Sequence, residues 1–215
     1  MTEVAAVLLA AGASTRFGPE NKLVAEIDGR PLVRAVADAI LNSEIAEVVV
    51  VTGADAAPIE RALEGLPVCF VHNARWQNGM GSSIAAGVSA LGDTADAAFI
   101  VPGDMPLLTA GLLRRLIAAF ERHNGAPIVY PATADGAQRN PVLWPRRQFP
   151  LLTALGGRGG AKTLLQRFAS SCTAVKVPDD RVLADVDTVD DLAAARDQRR
   201  NLLGGAARLG NGREG

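Results

Sequence analysis

Two cations stand in a glycine-punctuated loop that follows a short apolar run near the start of the chain. Arg16 and Lys22 flank Gly18, and Gly12 opens the loop. Glycine lets the backbone turn and approach a ligand closely, and the N–H groups of such loops bind anionic oxygens. The loop also contains small residues that leave those groups accessible: Ala10, Ala11, Ala13 and Ser14. These residue types at this spacing predict a polyphosphate site.

The spacing of the glycines excludes two common phosphate-binding loops. A Walker A loop needs four residues between its glycines and then Lys-Ser or Lys-Thr, whereas five residues separate Gly12 from Gly18 and Pro19 follows. The dinucleotide fingerprint G-x-G-x-x-G needs a glycine two residues after Gly12, where the chain has Ser14. A hydride-transfer function therefore loses its main sequence support.

The whole stretch from Leu9 to Lys22, L-A-A-G-x-S-x-R-x-G-x-x-x-K, resembles the signature loop of nucleotidyltransferases with a GT-A-like α/β fold. It is most similar to the molybdenum cofactor cytidylyltransferase branch, in which the loop contains LAAG, whereas guanylyltransferase relatives usually have LAGG. The resemblance implies CTP as the nucleotide and makes Arg16 and Lys22 catalytic through their charge. It also implies these nucleotide contacts: Leu9, Ala10, Ala11, Gly12, Ser14, Arg16 and Lys22.

A second motif, V-P-G-D-M-P over residues 101–106, places an acid directly after an apolar run. Ligands of open α/β sheets bind beyond the carboxyl ends of the strands, so Asp104 is expected beside the Gly12 loop. A carboxylate there would repel a triphosphate unless a divalent cation bridged them. Asp104 is therefore the predicted Mg²⁺ ligand and third catalytic residue. A simple Pro-Gly-Asp turn is the alternative, although GDMP is also the form of this motif in the family named above.

Alternating carboxylates occur in a third segment, D-V-D-T-V-D-D over residues 185–191. In an extended chain Asp185 and Asp187 lie on one side, and a helix can start at Thr188 or Asp190. The segment is similar to the family's D-[IV]-D-T-x-x-D-L, which implies that Asp187 is a second metal ligand. The alternative is that all these carboxylates only cap the helix.

A fourth segment, N-A-R-W-Q-N-G-M-G-S-S-I-A-A-G over residues 73–87, resembles the family's N-x-x-[WY]-x-x-G-[ML]-x-x-S-[IL]-x-x-G. It adds Asn73, Gly79 and Ser82 to the expected nucleotide contacts, because Gly79 permits an unusual backbone path and Ser82 or Ser83 suits a helix N-cap. Trp76 suits stacking on a base, but packing is the more common role of a large aromatic side chain.

The second substrate is expected to bind in the C-terminal half, where the resemblance weakens. Arg139 stands where related sequences often have glycine before Asn-Pro, and Arg158 stands where they often have an acid. Two such cations suit a phosphorylated acceptor, although surface charge is the alternative. The family's acceptor is molybdenum-molybdopterin, whose terminal phosphate attacks CTP and releases pyrophosphate. A guanylylated cofactor, a nucleotide sugar, or non-catalytic delivery of a cofactor to a client molybdoenzyme are the other possibilities.

Apolar runs alternate with helical patterns along the chain, which predicts a single-domain three-layer α/β/α sandwich with a mostly parallel, mixed sheet. The resemblance makes this a GT-A-like nucleotidyltransferase fold. Strands are predicted at residues 4–9, 47–51, 68–71, 97–101, 127–130, 140–144 and 173–177, and helices at 31–42, 56–64, 82–91, 110–124, 160–168 and 189–200. The domain is predicted over residues 1–198, and the Gly/Arg-rich residues 204–215 are predicted to be disordered.

Composition narrows the class of protein. The net charge of −1 and pI of about 6.1 give no overall attraction to nucleic acid or to an anionic membrane. The apolar start is too short to span a bilayer, and Glu3 precedes it instead of the cations of a signal peptide. Cys69 and Cys172 lack the spacing of a zinc site or a disulfide framework. We expect a cytoplasmic monomer that has CTP, Mg²⁺ and molybdenum-molybdopterin as ligands and contacts a client molybdoenzyme transiently.

Overall fold

The computed structural model describes residues 2–15, 17–18, 20–157 and 159–210, with side chains described as far as residue 200. Strands within this part form a seven-stranded sheet in the order β5-β4-β1-β6-β8-β7-β9 and a separate hairpin of β2 and β3. Their bounds are β1 Val4–Ala10, β2 Glu26–Ile27, β3 Arg30–Pro31, β4 Glu47–Thr52, β5 Cys69–His72, β6 Ala97–Pro102, β7 Ile128–Ala132, β8 Val142–Pro145 and β9 Cys172–Lys176.

Most neighbouring strands in the sheet are parallel. β1 lies parallel to β4 and β6, β4 lies parallel to β5, and β7 lies parallel to β9, whereas β8 runs antiparallel to both β6 and β7. The predicted mostly parallel, mixed sheet is therefore confirmed. In the register of the central pair, Leu9 lies opposite Pro102, so the loops that follow β1 and β6 leave the sheet side by side.

Helices cover both faces of the sheet because the side chains of β1 alternate between two cores. Val4, Ala6 and Leu8 pack in the core that α1, α2, α4 and α7 cover, and Val7 packs in the core beneath α3, α5 and α6. The three-layer prediction is thus confirmed. The bounds are α1 Leu32–Leu41, α2 Ala56–Ala62, α3 Met80–Ser89, α4 Ala110–Arg122, α5 Phe149–Thr153, α6 Lys162–Arg167 and α7 Val189–Gly210.

A few elements differ from those predicted. The hairpin of β2 and β3 was not predicted, because strands of two residues are too short to show an alternating pattern. The short helix α5, which begins at Phe149-Pro150, was not predicted either. The last helix was predicted to end at Arg200, but it continues to Gly210. Residues 211–215 lie outside the described chain, so the state of the tail stays a prediction. Within the described residues, no helix has the length and apolar content needed to cross a membrane.

Candidate active site

A cavity of about 620 Å³ opens where β1 and β6 end. The loop after β1, the loop after β6, the start of α3 and the segment before α7 all contribute to its wall. Its lining residues are Leu9, Ala11, Gly12, Ala13, Ser14, Thr15, Lys22, Leu23, Trp76, Gln77, Gly79, Met80, Ser83, Pro102, Gly103, Asp104, Asp185 and Asp187. The cavity thus lies beyond the carboxyl ends of parallel strands, where open α/β sheets bind ligands.

Lys22 joins the two acids that were predicted as metal ligands. Its Nζ donates to Asp104 Oδ2 at 2.7 Å and to Asp187 Oδ1 at 2.8 Å. The exposed fraction of the side chain is only 14% for Lys22, 19% for Asp104 and 32% for Asp187. Burial lowers the pKa of Lys22, but the charges and hydrogen bonds of Asp104 and Asp187 outweigh it, so this pKa is raised and the ammonium stays charged.

Asp104 is the more deeply buried of the two acids, and burial raises the pKa of its carboxyl group above the ordinary 3.8. The Lys22 ammonium lowers this pKa and the nearby Asp185 carboxylate raises it, and the net effect is a raised pKa. One oxygen, Oδ1, is buried and has no hydrogen-bond partner among the described residues. A buried carboxylate oxygen without a donor is costly, so a cation at this position would relieve that cost.

The donor set fits a hard divalent cation. Asp104 and Asp187 offer carboxylate oxygens, and Asp104 Oδ1 is available for coordination. No group of three or more His, Cys, Asp or Glu side chains with metal-site geometry occurs in the described part of the chain. Mg²⁺ is commonly held by one or two carboxylates together with substrate phosphates and waters, so two acids beside a phosphate loop are sufficient.

Asn21 holds the glycine loop in place. Its Oδ1 accepts hydrogen bonds from Ser14 Oγ at 3.0 Å and from the Leu23 backbone N–H at 3.0 Å, and its Nδ2 donates to Asp55 Oδ2 at 3.1 Å. Asn21 is thereby the cap of the 3-10 turn Lys22–Val24. The Ser14 hydroxyl donates its hydrogen bond to this network, and the Ser14 backbone has a positive φ of 51°. Asn21 therefore sets the position of Lys22 relative to the loop.

The acids at the start of α7 and in the segment before it have two different roles. Asp191 Oδ2 accepts from the backbone N–H groups of Asp187 and Thr188 and from Thr188 Oγ1, while Asp191 N–H donates back to Thr188 Oγ1. This reciprocal arrangement is a capping box. Asp187 instead directs its carboxylate to Lys22, and Val186 N–H donates to the Asp104 carbonyl at 2.8 Å. The carboxylate that caps the helix is thus that of Asp191 and not that of Asp187.

The polar side chains of the Asn73 segment form a buried hydrogen-bonded network. Asn73 and Ser82 are buried, with 5% and 7% exposure, and neither lines the cavity. Asn73 Nδ2 donates to the hydroxyls of Ser82 and Ser83, and Ser82 Oγ donates to the carbonyl groups of Arg75 and Gly79. Gly79, which has φ of 104°, and Ser83 do line the cavity. The structure therefore brings Ser83 to the wall where Ser82 was expected.

The structure brings most of the predicted site residues together. The cavity wall includes Leu9, Ala11, Gly12, Ser14, Lys22, Gly79, Asp104 and Asp187. Ala10 is almost fully buried at the end of β1 and is absent from the wall. Arg16 and Arg158 lie outside the described residues. The sequence analysis did not assign Asp185 to the site, although its alternation with Asp187 was the available signal. Trp76, for which packing was favoured, packs against the smaller core and also lines the cavity.

A second cavity, of about 290 Å³, adjoins the first and shares Leu9, Met80 and Pro102 with it. Its remaining lining residues are Ile84, Ile100, Gln138, Arg139, Asn140, Val142, Trp144, Gly159, Gly160, Ala161, Lys162 and Leu165. The lining contains two cations and no acid, in contrast to the first cavity. Neither Arg139 nor Lys162 forms an ion pair with another residue of the described chain. Cationic charge is thus available to a ligand there.

Comparison with known proteins agrees with this geometry. The chain is 30% identical over 199 residues to nicotine blue oxidoreductase from Paenarthrobacter nicotinovorans, an alignment that covers 88% of this chain and 94% of the relative. Rv0371c from Mycobacterium tuberculosis H37Rv superposes with a TM-score of 0.77 at 25% identity and covers 91% of this chain and 98% of its own. A nucleotidyl transferase from Methanothermobacter gives 0.78 at 23% identity, with coverage of 92% and 98%.

These likenesses confirm the GT-A-like nucleotidyltransferase fold. A family model described as the MobA-like NTP transferase domain matches residues 6–175, which include the glycine loop, the Asp104 motif and the lining residues of the second cavity. Because this match and the full-length relative both cover most of the chain, the protein belongs to the MobA-like NTP transferase family.

Proposed function

We propose that this protein transfers CMP from CTP to molybdenum-molybdopterin, with release of pyrophosphate and formation of molybdopterin cytosine dinucleotide. The observation that carries the proposal is the juxtaposition of Lys22, Asp104 and Asp187 in a cavity bordered by the Gly12 loop. This arrangement combines a phosphate-binding backbone, a cation and two acids within one space. Such a set suits phosphoryl and nucleotidyl transfer, in which the protein mainly positions groups and stabilises charge.

The chain's own residues have distinct roles in this reaction. The backbone of Gly12, Ala13 and Ser14 would hold phosphate oxygens, and Lys22 would neutralise charge on the phosphates. Arg16 is proposed to assist Lys22. Asp104 and Asp187 would hold Mg²⁺, which when bound supplies charge neutralisation at the α-phosphate and the departing pyrophosphate. The acceptor phosphate attacks in line, so no covalent enzyme intermediate is required.

The preference for CTP is argued from Ala11. This residue lines the cavity, and Gly53 packs so closely against it that a Cβ added at Gly53 would lie 2.6 Å from the Ala11 carbonyl oxygen and 2.8 Å from its Cβ. The Ala11 methyl group is therefore packed in the smaller core, against Gly53. We propose that this residue, which is alanine in the LAAG form of the loop and glycine in the LAGG form, sets the preference for CTP.

The acceptor is assigned to the second cavity. It adjoins the nucleotide cavity through Leu9, Met80 and Pro102, so a molecule bound there could present one group to the α-phosphate. Arg139 and Lys162 suit an anionic acceptor, and apolar side chains such as Ile100 and Val142 suit a fused-ring body. Association with a client molybdoenzyme, a monomeric state and a cytoplasmic location stay predictions.

A second function is favoured by one comparison. The relative from Paenarthrobacter nicotinovorans aligns over nearly its whole length and is named as an oxidoreductase. A reduced nicotinamide nucleotide also carries a pyrophosphate, so the Gly12 loop and Lys22 could bind it even without the G-x-G-x-x-G fingerprint. The site would then bind a nucleotide as a hydride donor instead of a nucleotidyl donor.

The deciding experiment measures pyrophosphate release by the purified protein with Mg²⁺, molybdenum-molybdopterin and each nucleoside triphosphate in turn. We expect turnover with CTP to exceed that with GTP by about 10-fold or more, which corresponds to roughly 1.4 kcal/mol of base discrimination. Equal turnover with GTP would show that the cytidylyl assignment is wrong. Absence of pyrophosphate with every nucleotide, together with NADPH oxidation in the presence of a dye acceptor, would favour the oxidoreductase.

Two variants test whether the acids carry the reaction. Asp104→Asn keeps the side-chain size but removes the charge that holds the cation, so turnover should fall by about 10²-fold or more while the protein stays folded. Asp187→Asn should lower turnover less, because its side chain is more exposed than that of Asp104. Asp93→Asn, an exposed acid paired with Arg146 outside the cavity, is the matched control. A folded Asp104→Asn protein with wild-type turnover would contradict the assignment.

A further inference from the structure

Lys22 has two possible sets of partners within one cavity. Its ammonium group now lies between two carboxylates, at 2.7 Å from Asp104 Oδ2 and 2.8 Å from Asp187 Oδ1. The same cavity is bordered by Gly12, Ala13 and Ser14, whose loop is where the proposed function places the phosphates. Lysine carries its charge on a flexible four-carbon stem, so one side chain can serve either set without movement of the backbone.

Lys22 cannot stay paired with both carboxylates when a divalent cation is bound to them. Asp104 Oδ2 and Asp187 Oδ1 are the oxygens that Lys22 holds, and they belong to the acids that would coordinate the cation. A divalent ion and an ammonium on the same two carboxylates would repel each other in a partly buried site, where charges are weakly screened. A cation that enters alone must therefore compete with Lys22 for these carboxylates.

A nucleotide changes this balance because its phosphates give Lys22 new anionic partners. Once the ammonium binds phosphate, the carboxylate oxygens become available to the cation, and the buried Asp104 Oδ1 gains the partner that it lacks. The cation and the nucleotide then each favour the binding of the other. Such coupling is reciprocal by thermodynamic necessity.

We propose that Lys22 is a displaceable counter-ion for the Asp104–Asp187 pair, so that the site takes a divalent cation together with a nucleotide polyphosphate and excludes the cation alone. This inference rests on the proposed function for the identity of the site but concerns the form in which the substrate binds. It assigns to one side chain both the pairing with the two carboxylates without nucleotide and the contact with the phosphates.

The test measures Mn²⁺ binding without nucleotide by the electron paramagnetic resonance signal of free Mn²⁺. Lys22→Met keeps the length of the side chain but removes its charge, so the carboxylates lose their internal competitor. We expect the variant to bind Mn²⁺ at least about 10-fold more tightly than the wild-type protein does, whereas CTP binding weakens. Lys176→Met is the matched control, because Lys176 is exposed at the end of β9, on the far edge of the sheet, and its variant should bind Mn²⁺ like the wild-type protein.

A double variant establishes that the gained affinity belongs to this site. Adding Asp104→Asn to Lys22→Met should abolish the increase, since Asp104 is one of the two carboxylates released. If the increase survives in the double variant, or if Lys22→Met binds Mn²⁺ no better than wild type, the counter-ion role is wrong. If Lys22→Met does not fold, the wild-type protein alone still decides: Mn²⁺ binding without nucleotide that is as tight as binding with CTP would overturn the proposal.

The outcome is independent of the proposed reaction. Coupling between Mn²⁺ and CTP would be measured by equilibrium binding in the absence of any acceptor, so it would persist if the acceptor were another molecule. Conversely, pyrophosphate release with molybdenum-molybdopterin could be observed even if Lys22→Met left Mn²⁺ affinity unchanged. The two proposals therefore fail under different measurements.

Discussion

At the residue scale, burial and the charge of Lys22 have opposite effects on the pKa of Asp104. Burial raises the pKa of its carboxyl group, Lys22 lowers it, and the net effect is a raised pKa. A group whose pKa is higher in the folded than in the unfolded protein contributes stability at low pH, and this contribution is lost as the pH rises through the folded pKa. The charged Asp104 that the proposed reaction needs thus costs the free protein some stability.

The raised pKa of Asp104 predicts that the wild-type protein and Asp104→Asn differ in their free energy of unfolding, by an amount that depends on pH, when metal is removed with EDTA. As the pH rises from about 4 toward 7.5, the wild-type free energy of unfolding should fall relative to that of the variant, because only the wild type must ionise the buried carboxyl group. Urea denaturation at several pH values measures the difference. A gap between the two proteins that does not change with pH would mean that the pKa of Asp104 is not raised.

At the element scale, α3 must approach the sheet closely to bring Gly79, Met80 and Ser83 to the cavity. Gly87 makes this approach possible, since a Cβ added there would lie 2.2 Å from Val7 Cγ1 and 2.8 Å from Val51 Cγ2. Both valines are fully buried on the central strands and cannot move aside easily. The start of α3 therefore depends on a small residue two turns further along the helix.

Gly87→Ala tests this dependence. Alanine favours helices over glycine by about 1 kcal/mol, but the clash with Val7 should outweigh this gain and lower the free energy of unfolding by about 1–3 kcal/mol. Urea denaturation measures the change. Gly92→Ala is the control, because its Cβ would meet only the carboxylate end of Glu47, at an ordinary contact distance of 3.4 Å, and should have little effect. Stability of Gly87→Ala equal to that of wild type would show that α3 can move outward without cost.

At the scale of the whole molecule, the site joins distant parts of the chain. Lys22 is 82 residues from Asp104 and 165 residues from Asp187 along the sequence, and Val186 beside Asp187 is buried in the larger core. A ligand that bridges these segments stabilises their packing together, because it binds the folded protein and has no comparable site in the unfolded chain.

We therefore expect CTP and Mg²⁺ together to raise the melting temperature. At concentrations about 100-fold above the dissociation constant, the stabilisation should be about 2.7 kcal/mol, or about 5–10 °C for a chain of this size. Mg²⁺ alone should shift the midpoint by less than about 2 °C, because it must compete with Lys22 for the two carboxylates. Differential scanning fluorimetry with CTP, Mg²⁺ and both compares these states, and an equal shift with Mg²⁺ alone would contradict the expectation.

The sequence predicted the fold well because the signals for it are local. The alternation of apolar runs and helical patterns placed the sheet strands and the longer helices, and each of Lys22, Asp104 and Asp187 follows or precedes such an element. The two-residue strands β2 and β3 were not predicted because no periodic pattern fits in so short a segment.

The contacts within the site were harder to predict because they depend on distant pairs. The separate motifs did not indicate that Lys22 would form hydrogen bonds with both acids. Those contacts arise from the register of β1 beside β6 and from the position of Val186. Asn73 and Ser82 were expected to face a ligand, but their polar groups satisfy one another in a buried network. Which of two adjacent serines faces the cavity depends on the exact start of α3, and that is the least predictable part of a helix.

The order in which the segments of the site appear has a consequence for protein synthesis. The Gly12 loop and the Asp104 strand are made early, and the sheet between them can begin to form while the rest of the chain is still being translated. Asp187 and the residues that pack beside it come much later. A nascent chain therefore presents an incomplete pocket until its last helix begins to dock. Binding of the proposed metal–nucleotide pair would thus report that the chain has been translated through this segment and has folded.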